Sequence, residues 1–139
     1  MNDTSMTRDE TYNLLHRMFA AFTDPRTAPE DFAEFLTPDY VQRVDGKHLG
    51  YSEFLKHHQS LKENISSGSI RFEHFVTDGI SAATVHIAEA VKPTGERMRF
   101  KVIAYYQFHG KRVCMVDELT YMLKGEPEDL DLGSRVQPR

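Results

Sequence analysis

Asp117, Glu89 and His74 are the residues best placed to move a proton, because strand alternation sets all three on a face otherwise built of apolar side chains. A carboxylate there loses hydration, so it must be hydrogen-bonded, paired, or titrate closer to neutrality. A carboxyl of that kind is a useful acid or base, and a histidine titrates near neutral pH without help. Turn geometry gives the placement. A two-residue loop at His109-Gly110 pairs Phe108 with Lys111 and gathers Phe100, Val102, Ala104 and Tyr106 with Val113, Met115, Asp117, Leu119 and Tyr121. Lys101 then faces Glu118 on the other side as a cross-strand ion pair. A Thr94-Gly95 turn adds Val85, Ile87, Glu89 and Val91 to the apolar face, and an Asp78-Gly79 turn adds Phe72, His74 and Val76. A bulge in any strand would reverse the parity beyond it. Plainer roles compete: Asp117 bonding a tyrosine hydroxyl, Glu89 at a rim beside Arg97, and His74 as a satisfied core histidine.

The elements that must hold these groups are legible in order. Thr7 and Glu10 have capping-box spacing, and Leu15, Met18, Phe19 and Phe22 follow at i, i+3, i+4 and i+7, which predicts a helix ending near Asp24-Pro25. Thr27 and Glu30 repeat the box around Pro29, with Phe32, Phe35 and Leu36 as the apolar side of a short second helix. Tyr40 to Val44 is strand-like and closes at Asp45-Gly46. Phe54, His58, Leu61 and Ile65 then mark one stripe of a third helix. From Ile70 onward, β-branched and aromatic runs separated by Asp78-Gly79, Pro93-Thr94-Gly95 and His109-Gly110 predict a four-stranded antiparallel meander. The expected domain is 1–124, and the polar tail 125–139 is expected to be extended or partly disordered.

Composition removes several function classes. A chain of 139 residues that is 40% hydrophobic can bury one core without staples. The single cysteine, Cys114, excludes an internal disulfide, and the polar start MNDTSMTRDE lacks a signal-peptide core, so a cytoplasmic setting is expected. No run is long and apolar enough to span a bilayer. With 17 basic and 21 acidic residues, the scattered cations make no nucleic-acid stripe. His57 and His58 are adjacent and splay about 100° apart on a helix, so no histidine set has metal spacing. No nucleotide or nucleophile motif is present, and no cofactor is expected.

The segments MFAAFTD, DFAEFLTPDYVQRVDG, YSEFLKHHQSL and YYQFHGKRVCMVDELTYMLKG, in that order over nearly the whole chain, resemble the nuclear transport factor 2-like superfamily. The resemblance is to its SnoaL-like branch of polyketide cyclases, ketosteroid isomerases and limonene epoxide hydrolases. It implies an α+β, cystatin-like cone: three N-terminal helices packed on a curved antiparallel sheet that encloses a pocket. Dimers are common in such proteins. In the cyclases an aspartate on a late strand is the acid or base. Asp117 matches that position best, and the adjacent Glu118 takes it if the hairpin is one residue longer. Tyr40-Val41-Gln42-Arg43 stands where many members read YVQH, and the epoxide hydrolase and isomerase residue sets have no residue-by-residue match.

Two functions fit. One is a proton-transfer isomerase, cyclase or lyase acting on a small apolar, ring-containing molecule through Asp117 with Glu89 or His74. The other is a non-catalytic module of the same fold that binds a small molecule or a partner. Tyr12, His16, Tyr40 and Gln42 are expected at the pocket mouth. Phe54, His58, Phe100, Val102, Tyr106, Met115 and Leu119 are expected in its walls. The opposite sheet face, read as Thr84, His86, Ala88, Ala90, Ile103, Tyr105, Cys114 and Val116, is apolar enough to predict a symmetric homodimer.

Overall fold

The computed structural model describes residues 5–135. Helix α1 (Arg8–Thr23) starts at the expected capping box: the Glu10 backbone N–H donates to Thr7 Oγ1 at 3.1 Å, and the Thr7 N–H donates to Glu10 Oε1 at 3.0 Å. Thr11, Leu14, Leu15 and Met18 are its buried face. The second helix is only a 3-10 helix, Pro29–Glu34, and its N-terminal bond is from the Ala28 N–H to Asp31 Oδ2 rather than to Glu30. Thr27 instead donates its hydroxyl to the Ala21 carbonyl at 2.6 Å. Leu36 already belongs to strand β1 (Leu36–Val44), which the left-handed residues Asp45 and Gly46 turn into β2 (Lys47–Gly50). Helix α2 (Tyr51–Asn64) follows, burying Phe54, His57, His58 and Leu61.

Strands β3 (Ser67–Thr77), β4 (Ser81–Val91), β5 (Arg97–His109) and β6 (Arg112–Lys124) form the expected meander. The curved six-stranded sheet has the order β2-β1-β6-β5-β4-β3; β1 and β6 are its parallel pair. The helices close over one sheet face around Leu15, Phe32, Leu36, Met98 and Tyr106, all buried. The fold is therefore the α+β cone the sequence predicts.

Strand parity is where the structure departs from the expectation. The β5–β6 loop is Gly110-Lys111, since His109 pairs with Arg112, and a bulge then carries the register from Phe108–Val113 to Gln107–Met115. From Cys114 onward every β6 side chain is reversed. Asp117, Leu119 and Tyr121 face outward, Met115 leaves the inner row, and Glu118 turns inward opposite Ala104. The β4–β5 connection is the five residues 92–96, so Ala88 rather than Glu89 faces Phe100 and all of β4 is reversed. In β3 a bulge at Glu73 separates Phe72–His86 from His74–Val85, leaving His74 exposed and Phe75 inward.

The tail also differs from its expectation. Gly125 to Arg135 is folded: a 3-10 turn at Pro127–Asp129 leads Leu132, which is 7% exposed, into the core. Its last four residues, 136–139, lie outside the described ones. Among the described residues no helix is long and apolar enough to cross a membrane.

Candidate active site

The inner face of the sheet, α1, α2 and the tail enclose a cavity of about 100 Å³. Phe19 and Phe22 of α1 and Leu61 of α2 form one wall, Phe100 and Val102 of β5 the opposite one, and Leu132 closes the end. A side chamber of about 40 Å³ lies between Tyr40, Gln42 and Phe54. Glu118 borders both spaces. It reaches this position because the β6 bulge turns it inward, and the neighbouring turn holds the strand in place. The Asp45 carboxylate accepts from the Thr120 N–H at 2.8 Å and from the Thr120 hydroxyl at 2.6 Å, and the Asp45 N–H donates to the Glu118 carbonyl at 3.0 Å.

The carboxyl of Glu118 titrates far from its usual range. Burial comes first, and the nearby Asp45 and Asp117 carboxylates add to it, pushing the group up from 4.5 to about 8. At neutral pH it is mostly a carboxylic acid that can donate a hydrogen bond. The cavity is also lined by His86 of β4, which burial pushes down from 6.5 to about 4, so that ring is neutral. His86 Nδ1 is 2.9 Å from Thr84 Oγ1, which lies 2.8 Å from the Tyr106 hydroxyl. This buried chain orients the ring, and Phe19 packs on it with centroids 5.0 Å apart. Nδ1 is thereby engaged, and among the described residues Nε2 has no protein hydrogen-bond partner. In the side chamber the Tyr40 hydroxyl donates to Gln42 Oε1 at 2.6 Å, and burial raises that phenol well above its ordinary value.

The expected site residues separate into groups. Phe100 and Val102 line the main cavity, and Tyr40, Gln42 and Phe54 line the chamber. Tyr106 is fully buried behind His86. His58 lies deeper, edge-on to Phe32 at 4.7 Å, and burial lowers it to about 4. Tyr12 and His16 are outside the cavity, packed with Phe72 on the far flank of α1. Glu89 is among the residues that line the main cavity, but strand parity turns its carboxylate outward, where it ion-pairs with Arg99 at 3.3 Å and its side chain is 37% exposed. Asp117, Met115, Leu119 and His74 do not face the cavity, for the reasons of parity given above. His86, Thr84 and Leu132 were not anticipated as site residues. One signal was available: Ala82, Thr84, His86, Ala88 and Ala90 alternate as small or polar residues against the bulky row of β5, and small residues in a wall leave room for a ligand.

No group of three His, Cys, Asp or Glu side chains among the described residues is arranged to hold a metal ion. At neutral pH the site therefore offers a carboxylic acid and a neutral imidazole in an apolar enclosure. That suits an uncharged ligand with one polar function.

A SnoaL-like domain model matches residues 15–116, and the chain belongs to that family within the NTF2-like superfamily. An uncharacterized protein of Schizosaccharomyces pombe is 42% identical over 125 residues, covering 90% of this chain and 96% of its own. Among solved structures, AusH of Aspergillus nidulans has a TM-score of 0.73 at 17% identity, over 86% of this chain and 89% of its own. IdmH of Streptomyces antibioticus, described as a candidate polyketide cyclase, has a TM-score of 0.67 at 15% identity, over 79% and 91% respectively. At these identities the structural likeness is one of fold.

Proposed function

We propose that this chain is a small-molecule enzyme that transfers a proton on an apolar, ring-containing ligand, an isomerase or cyclase type of step, with Glu118 as the acid–base group. The observation that carries this reading is an inward carboxyl bordering an apolar cavity and titrating near pH 8. As carboxylate, Glu118 takes a proton from a carbon next to a carbonyl. As the resulting acid, it returns that proton to another atom of the ligand. His86, held by Thr84, positions or polarises the ligand's oxygen. The description of IdmH as a candidate cyclase agrees with this class of step.

The test has two parts. Carbon-detected NMR titration should place the Glu118 carboxyl midpoint near 8. Deuterium exchange at the acidic carbon of a probe ketone such as 2-cyclohexenone should be accelerated by the protein and not by Glu118→Gln. A midpoint in the ordinary carboxylate range together with no exchange would leave a binding module as the better description.

The same reading includes a second copy of the chain on the outer sheet face. Ile103 and Leu119 pair across β5 and β6, at 58% and 65% exposure, and Tyr121 beside them is 70% exposed. Rows of this kind are more apolar than a free surface favours. The outer face differs from the one expected, because the β4 residues and Val116 turn inward, yet Ile103 and Tyr105 remain on it. Sedimentation of the intact chain tests the association.

A further inference from the structure

The cavity has two possible ways in, and they are built differently. One end of the cavity is closed by the tail. Asp129, 4% exposed, meets Lys92 Nζ at 3.1 Å and accepts from the Glu126 N–H at 2.9 Å. The Arg135 guanidinium, also buried, donates to the Glu128 carbonyl at 2.6 Å and to Asp131 Oδ1 at 2.7 Å, and its own carbonyl lies 2.8 Å from His57 Nδ1. Burial pushes His57 down to about 4, so the ring is neutral and its Nδ1–H donates to that carbonyl. Breaking a buried, charged set of this kind strands its partners without water.

The flank between the last turn of α1 and the start of β3 has no such ties. Outside it lies a groove of about 370 Å³, and Phe19, Thr23, Gly68, Ser69 and Ile70 line both that groove and the inner cavity. A single layer of residues therefore separates the two spaces. Strand β3 is the sheet edge, paired only with β4. Among the described residues no hydrogen bond joins Phe19–Thr23 to Ser67–Ile70. At the centre of this layer is a residue without a side chain. A Cβ on Gly68 would come within 3.4 Å of Thr23 Cβ, of Ile65 Cδ1 and of the Glu89 carbonyl oxygen. Phe19, half-buried in the same layer, covers the His86 ring. Phe19 therefore stands between the groove and the candidate site.

We propose that a small ring-containing ligand enters and leaves by parting this seam, where Gly68 has no side chain to lock against Thr23 and Ile65, with the tail serving as a fixed end wall. The inference rests on the reading that the cavity accepts such a ligand, and the test separates the two.

The chain has no tryptophan, so the fluorescence of 2-naphthol can report binding by stopped flow. Gly68→Val should slow association and dissociation together by about tenfold while leaving affinity within about threefold. Gly68→Ala should slow both less, and Thr23→Ala, which thins the layer, should speed both. Asp129→Asn, which loosens the tail, should leave the rates within about twofold. Should Gly68→Val not fold, Gly68→Ala and Thr23→Ala carry the decision with opposite signs. Rates that respond to Asp129→Asn and not to the seam variants would place the route at the tail and overturn the proposal, with the cavity reading intact. Failure of 2-naphthol to bind the unaltered chain at all would remove the cavity reading and this route with it.

Discussion

Asp117 and Glu118 are adjacent carboxylates on one strand, and they live in opposite environments. Asp117 stands exposed on the outer face beside Arg43 of β1, whereas Glu118 faces the apolar cavity and holds its proton to about pH 8. Alternation puts adjacent side chains of a strand on opposite faces, and one extra residue at the Cys114 bulge sets which of these two faces in. The inner face of β6 (Val116, Glu118, Thr120) borders the cavity and its side chamber, and its outer face (Asp117, Leu119, Tyr121) is exposed. A bulge of one residue decides which is which.

The sharpest way to break that contrast is to neutralise each carboxyl in turn. Glu118→Gln should lower proton-exchange activity by about 10²- to 10⁴-fold, the usual worth of a positioned acid–base group. Asp117→Asn should leave it within about threefold, apart from a small downward shift of the Glu118 titration as one nearby negative charge is removed. Equal losses in the two variants would mean that β6 does not keep the register described.

The second contrast is between packing and association. Phe32, fully buried against Phe54 and His58, should cost about 3–5 kcal/mol on truncation to Ala, read from urea unfolding. Leu119→Ala should move monomer stability by no more than about 0.5 kcal/mol. Leu119→Asp should instead shift the sedimenting species toward monomer. A large stability loss from Leu119→Ala at monomeric concentrations would show that the outer face is part of the core.

How much of this was legible in the sequence follows from the same physics. The face of β5 was readable because alternation along Met98, Phe100, Val102, Ala104, Tyr106 and Phe108 is unbroken, and the turn at Asp45-Gly46 because both residues tolerate left-handed backbone. The resemblance supplied the cone. The site was hidden by three local events that leave no periodic trace: the bulges in β6 and β3 and the five-residue loop 92–96. Each shifts parity by one beyond it; in β3 the bulge offsets the reversal of β4, so Phe72 stays inward while His74 and Val76 turn out. Glu118 thus stood only as the alternative to Asp117, and His86 was assigned to the wrong face. The tail looked like a linker because its two buried leucine-scale anchors, Leu132 and the Arg135 stem, sit among acidic residues, of which Asp129 and Asp131 meet Lys92 and Arg135 after folding.

Solution pH should sharpen the inner-face side of the comparison by a smaller amount. Glu118 holds its proton to about 8 in the folded chain against 4.5 unfolded, so stability falls as pH rises through that window. His57, His58 and His86 are lowered from 6.5 to about 4, so stability falls as pH drops through theirs, and three groups outweigh one. The net maximum should lie near pH 7, with a shallow loss of less than about 1 kcal/mol by pH 8 because the histidines partly offset Glu118. Urea midpoints across pH 4.5–8.5 measure it. Glu118→Gln should abolish the decline above pH 7 and steepen the rise between pH 4.5 and 6.5, where Glu118 otherwise opposes the histidines.

The smallest effect is expected at Glu89, the carboxylate whose inward placement the structure reverses. Its ion pair with Arg99 spans 3.3 Å with both partners well exposed, and pairs of that kind contribute between nothing and about 1 kcal/mol because water and salt screen them. Glu89→Gln should therefore shift the urea midpoint only slightly, and less still at high salt. It should leave both proton exchange and the Glu118 titration unchanged. If the outer face packs on a second copy, the variant changes the association constant before it changes anything inside the cone. A fall in exchange activity with an unaltered fold would instead require that carboxylate to reach the cavity, and the assignment of β4 parity would have to be reversed.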